Sequence, residues 1–282
     1  MRHVMKIFAP VFFALSIVAC VTAKAPSGSP SNASHTRHWN NNLSHVEEVK
    51  GQSKTVCGEN SVLVEGDFCP RVEEICLKWV GNASSETGKC AEWKQPTKCL
   101  TPVSKRIHMR YCIDAYEWPN IVGQKPKSWL NWYDAKREVE ASGKRLCTDK
   151  EWTMACEGAE LQPYPFGTGY VRDKIACNID NVVPTGLNVF DAKKSNDITA
   201  LRLDALLVAA GSMKGCVSPV GVHDMSGNID EWVVNGSKKP YISALKGGHI
   251  FGVRNVCRPS TIAHAPEFSW YETGTRACHD IK

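Results

Sequence analysis

The chain has 282 residues, enough for one large domain or for a domain with a smaller companion, and 34 Lys and Arg against 29 Asp and Glu leave a formal net charge of +5. The basic residues are scattered and form no stripe, which excludes the electrostatic footprint of a nucleic-acid binder. Thirteen cysteines are the outlying feature, yet the nearest pair, Cys69 and Cys76, has six residues between its members; no Cys-x-x-Cys zinc motif, His-Glu-x-x-His pair, phosphate loop, nucleotide fingerprint or Gly-x-Ser-x-Gly elbow occurs.

Residues 1–20 place basic residues ahead of a short apolar run ending in small residues, the layout of an export signal; the run is broken by Pro10 and too short to span a bilayer. Ile17-Val18-Ala19-Cys20 resembles the bacterial lipobox, which implies acylation of Cys20 and a lipoprotein held at a membrane of a bacterial cell envelope, periplasmic or attached to the outer membrane. In such a cell the Asn-x-Ser sequons at Asn32, Asn42, Asn82 and Asn235 are not expected to be glycosylated. Residues 21–56 are rich in Pro, Ser and Asn with almost no apolar periodicity and read as a flexible tether.

Setting Cys20 aside leaves an even dozen: Cys57, Cys69, Cys76, Cys90, Cys99, Cys112, Cys147, Cys156, Cys177, Cys216, Cys257 and Cys278. An even count behind an export signal is what a fully paired disulfide framework requires. Five of them fall in a Cys-rich N-terminal subdomain, residues 57–108, and seven in the body, residues 109–282. Both counts are odd, so at least one bridge must join the two parts; Cys99 to Cys112 is the nearest pair across the boundary.

In the body, Asn131 caps a helix whose buried stripe is Trp132, Ala135 and Val139 and which stops at Gly143. Thr148-Asp149-Lys150-Glu151 is a capping box opening a second helix, with Trp152 and Ala155 on its buried face and Gly158 at its end. A third is expected from Asp197 to Ala210, and the remainder reads as short strands and turns. Trp129, Trp132, Trp152 and Trp232 are expected in the core.

Four segments define a pattern: Gly143-Lys-Arg-Leu-Cys-Thr-Asp-Lys-Glu-Trp152; Tyr164-Pro-Phe-Gly167 followed by Cys177-Asn178; Gly221-Val-His-Asp-Met-Ser-Gly-Asn-Ile-Asp-Glu-Trp232; and Leu245-Lys-Gly-Gly248 with Gly274-Thr-Arg276. In this order they resemble the formylglycine-generating enzyme, or sulfatase-modifying factor, family over roughly 109–278. The resemblance implies an α+β, C-type-lectin-like fold of low regular secondary structure, here disulfide-rich. It also implies an oxidation of a sulfatase cysteine at a copper ion held by two thiolates. Counted from Gly247-Gly248, those positions are Gly252 and Cys257; a single thiolate does not make a two-coordinate cuprous site, so copper is not expected. Cysteine parity places Cys257 in a bridge, with Cys278 as a partner to consider.

The family further implies calcium at Asp224 and Glu231 through their side chains and at Gly227 and Ile229 through their carbonyls, with Asn178 and Ile179 resembling the start of a second calcium loop. An Asx-type turn capped by Asp224 is the plainer alternative. His249 and His264 lie where family active sites open and, with Cys257, are the residues an enzyme would use; Arg276 is expected to be buried and hydrogen-bonded. Two functions follow. One is a non-catalytic module presenting loops around Phe251 to Ser269 to a glycan, a peptidoglycan fragment or a protein. The alternative is a metal-dependent oxidase or other oxidoreductase of the same family. The first is the reading adopted from the sequence.

Overall fold

The computed structural model describes residues 56–81, 89–193 and 197–281. The predicted export signal, the predicted acylation site Cys20, all but the last residue of the predicted tether, and the sequons at Asn32, Asn42 and Asn82 lie outside them. Among the described residues no helix is long and apolar enough to cross a membrane.

Short strands dominate. In chain order they are β1 (Ser61–Phe68), β2 (Val72–Glu73), β3 (Cys76–Trp79), β4 (Cys90–Trp93), β5 (Lys98–Cys99), β6 (Ile107–Asp114), β7 (Arg145–Leu146), β8 (Asp230–Val234), β9 (Ser243–Lys246), β10 (Thr273–Thr275) and β11 (Ala277–His279). One sheet runs β1-β6-β11-β7 and a second β10-β8-β9, in which β10 lies parallel to β8. β2 with β5 and β3 with β4 form two small antiparallel pairs.

The helices follow the local chemistry of the sequence. α1 (Trp132–Ala141) begins where the Asn131 side chain accepts the Asp134 amide, and it buries Trp132, Ala135 and Val139. α2 (Asp149–Glu157) carries the full reciprocal capping box between Thr148 and Glu151 and ends at Gly158, whose φ is +63°. α3 is shorter than the periodicity predicts, Ile198–Asp204. Beyond it, tertiary partners take over the backbone: Asn178 donates to the Leu206 carbonyl, and the Asn228 side chain bonds both the amide and the carbonyl of Val208.

Six bridges pair all twelve cysteines of the described body. The link across the predicted boundary is Cys57–Cys112 rather than Cys99–Cys112. The reason is register: β2–β5 pairing sets Val72 opposite Cys99, which brings Cys69 within reach of Cys99 and leaves Cys112 to Cys57. Cys257 likewise bonds Cys156, not Cys278, because β11 pairs with β7 and delivers Cys278 to Cys147. The Cys-rich segment is joined to the body by more than its bridge. β1 pairs with β6 along its whole length, and Val64 and Phe68 share the main core with Trp152, Met225 and Val233. The 108/109 boundary therefore falls inside β6.

Candidate functional site

Three layers meet at the end of the molecule carrying residues 249–272. The deepest is a buried charge cluster. Arg276 at the head of β11 is fully buried; its Nε and Nη2 donate to Glu231 at 3.0 and 2.8 Å, and its remaining bonds go to the Asp114 and His223 carbonyls. Trp152 Nε1 donates to the same Glu231 at 2.6 Å, so helix α2, strand β8 and the head of β11 are tied through one carboxylate.

Around this pair lie Asp224, whose Oδ2 accepts the Gly211 amide at 2.6 Å, and Glu117, whose Oε2 accepts from Asn228 at 2.7 Å. Three buried carboxylates thus face one buried guanidinium, with Lys214 outside. Burial, and then the Asp224 and Glu231 charges, push Glu117 well above the usual carboxylate range, and burial raises Asp224 to about 6. Glu117 Oε1 has no hydrogen-bond partner. An orphaned carboxylate oxygen in a site with excess negative charge suits a hard cation, although among the described residues Glu117, Asp224 and Glu231 do not bring one oxygen each close enough together to share it, so main-chain carbonyls would have to complete the set. The residues that would hold calcium are Asp224, the carbonyls of Gly227 and Ile229, and Glu117, which the sequence did not suggest; Glu231 enters already engaged by Arg276. Gly227 is held against the neighbouring loop at φ +79°, where a Cβ would come within 2.3 Å of the Asn178 carbonyl oxygen. Asn178 itself is committed to Asn181, Asn228 and Leu206, Ile179 is buried in a core cluster, and the nearby Asp180 is held by Arg172.

The second layer is the place of the family's copper thiolates. Cys257 is fully buried in its bridge to Cys156. At the other position, Gly252 has φ +79°, and a Cβ there would lie 2.0 Å from Asp180 Oδ1 and 3.0 Å from Arg172 Nη2. The Arg172–Asp180 ion pair, bidentate at 2.7 and 2.9 Å and joined by Lys89, fills the space a side chain would need. The segment after Cys257 wraps a buried Lys246, whose Nζ donates to the carbonyls of Cys257, Arg258 and Pro259 at 2.7, 2.8 and 3.1 Å. Burial lowers Lys246 to about 7. It also raises Glu157 to about 7 despite the Arg258 guanidinium 2.7 Å away.

The third layer is the rim. His264 stacks on Phe268 (centroids 3.9 Å apart), Phe268 on Trp270 (6.1 Å), and Trp270 leans on Trp129 (6.2 Å) and Tyr271 (6.3 Å); Phe251 (6.3 Å from Tyr271) and His249 (5.9 Å from Phe251) continue the row. All of these rings except Tyr271 are half-buried, including Trp129, which the sequence places in the core. Trp129 also lines a cavity of about 470 Å3 with Gln124, Lys125, Leu201 and Asp204. His249 Nδ1 sits 3.3 Å from Glu272, and burial lowers both His249 and His264, leaving neutral imidazoles near pH 7. Among the described residues neither histidine joins a set of three His, Cys, Asp or Glu ligand atoms close enough to share an ion. Glu272 and Trp270 lie just beyond the loop marked by sequence, and the Trp270-Tyr271-Glu272 run was the available signal.

A disulfide-bonded α+β scaffold with this closed centre and aromatic rim is a sulfatase-modifying-factor-like domain. The chain belongs to that family: the model of the sulfatase-modifying factor enzyme 1-like domain matches residues 91–281. Among solved structures, the chain is similar to the crystal structure of CarF, at 14% identity and a TM-score of 0.46 over 79% of this chain and 98% of that one. It is also similar to Treponema denticola variable protein 1 (12%, 0.39, 77% and 99%) and to the Major Tropism Determinant I1 variant (19%, 0.35, 60% and 50%). No curated protein matches the sequence.

Proposed function

We propose that this domain is a non-catalytic binding module of a bacterial envelope lipoprotein, anchored through Cys20 and stiffened by calcium, that takes a glycan on its aromatic rim. The observation that carries the reading is the row of half-buried rings from His264 to Trp129, spaced 3.9 to 6.2 Å apart. Such rings offer flat apolar faces to the C–H surfaces of sugar rings, while Glu272, His249 and the Lys125–Asp204 pair beside the cavity supply hydroxyl partners. The lack of catalysis is supported by the family's thiolate positions, one occupied by a bridge and the other by an ion pair. Calcium is supported by the unpartnered Glu117 oxygen, and anchoring by the export signal with its lipobox.

The test is binding of the purified chain to an immobilised panel of muropeptides and neutral oligosaccharides. Retention by at least one glycan, weakened about tenfold or more by Trp270→Ala, is the expected result. Glycan binding that is indifferent to Trp270→Ala and Phe268→Ala, or no glycan binding beside capture of a protein partner, contradicts it. Calcium titration followed by heat denaturation checks the cation: the melting temperature is expected to rise with calcium in the wild type and not in Asp224→Asn.

A further inference from the structure

The two inner strands of the four-stranded sheet, β6 and β11, carry a second constellation that the binding reading does not use. Cys57, Cys112 and His279 present two Sγ atoms and a ring nitrogen that all lie within 4.8 Å of one another. The two sulfurs form the bridge that fastens the start of the Cys-rich segment to β6. His279 arrives from the neighbouring strand β11, whose register sets it opposite Cys112. Its Nδ1 is buried and makes no hydrogen bond, while the ring also meets the Cys57 backbone. The site borders a cavity of about 570 Å3 lined by Cys57, Gly58, Ser142, Lys144, His279 and Asp280.

We propose that Cys57, Cys112 and His279 form a latent zinc site that is masked while the two cysteines are bridged and that opens when a dithiol reduces them. In the unmasking step the dithiol forms its own internal disulfide while its two electrons and two protons convert the bridge into two thiols. Zinc then binds both sulfurs as thiolates, releasing those two protons to solvent, and takes the imidazole nitrogen as its third ligand. Tetrahedral donors at about 2.0 to 2.3 Å from one zinc stand about 3.3 to 3.8 Å apart, within the 4.8 Å over which these three donor atoms are spread. Water takes the fourth position. The ligand set is soft and mixed, suited to zinc and not to calcium or magnesium. The bridge and the metal are thus alternative fasteners of one junction: under reducing conditions the ion keeps residue 57 attached to β6.

The experiment uses the full chain, reduced with dithiothreitol, exchanged into oxygen-free buffer and titrated with cobalt(II) as a spectroscopic probe and then with zinc. One equivalent with tetrahedral d–d and thiolate charge-transfer bands, displaced by zinc, is expected; the unreduced chain shows none. Because other bridges are also reduced, two variants isolate the site. Cys57→Ser with Cys112→Ser loses that equivalent, and His279→Ala, which keeps the bridge when oxidised and is first checked for an unchanged melting temperature in that form, weakens it about tenfold or more. Cobalt binding that survives the double substitution, or a spectrum and affinity unchanged by His279→Ala, overturns the proposal.

Discussion

The centre and the rim of this molecule stand in contrast. In the centre the cations and the thiol are committed: Arg276 spends its donors on Glu231 and two carbonyls, Lys246 is capped by three carbonyls, and Cys257 is closed into a bridge. At the rim the rings are half-buried, and Glu272 faces a neutral histidine. Buried groups whose hydrogen bonds are made internally are held rigidly, whereas flat apolar faces and hydrogen-bonding edges at a surface are the features that ligand sites use.

Breaking the centre gives the largest expected effect. Arg276→Ala strands the buried Glu231 carboxylate, and a loss of about 3 to 5 kcal/mol in urea unfolding is expected. Cys156→Ser with Cys257→Ser removes a bridge between residues 101 apart in sequence and is expected to cost about 2 to 4 kcal/mol, without conferring copper-dependent oxidation of a cysteine peptide.

The pH dependence sharpens the comparison further. Glu157, raised to about 7 in the fold from an ordinary value of 4.5, favours the folded state when protonated. That stabilisation is complete below pH 4.5 and fades as pH rises toward 7, so stability is expected to fall by roughly 2 kcal/mol between pH 5 and pH 7. Glu157→Gln should flatten this window. Lys246, lowered to about 7, works in the opposite sense only above that pH, where it adds stability as the solution becomes more alkaline. The smallest stability effect is expected from Gly252→Cys, about 1 to 3 kcal/mol of strain from its positive φ and the contact with Asp180; anaerobic titration with cuprous ion should show no site formed.

Local grammar made much of the scaffold legible. The capping box at Thr148, the Asn131 cap and the stop at Gly158 rest on neighbouring residues, and all three stand in the structure. Arg276 was readable as a buried, bonded guanidinium from its motif alone. What sequence could not supply was pairing across distance. Cysteine parity required a bridge between the two segments, but strand register chose Cys57 over Cys99 for Cys112 and Cys156 over Cys278 for Cys257. The end of α3 was lost to Asn178 and Asn228, whose side chains take backbone groups that a helix would have used. Glu117 was invisible because it meets Asp224 and Glu231 only after more than a hundred residues of intervening chain have folded. Trp129 shows the same limit from the other side, since its neighbour Trp270 lies on a loop that returns late in the sequence.

The central claim is that the thiol centre of the family has become structure in this chain. It is tested most directly by denaturing the unreduced protein in the presence of an alkylating agent and mapping its cysteine peptides by mass spectrometry. The account predicts that Cys257 is recovered joined to Cys156 and unalkylated. Recovery of Cys257 as a free, alkylated thiol would contradict it and return the domain to the oxidases.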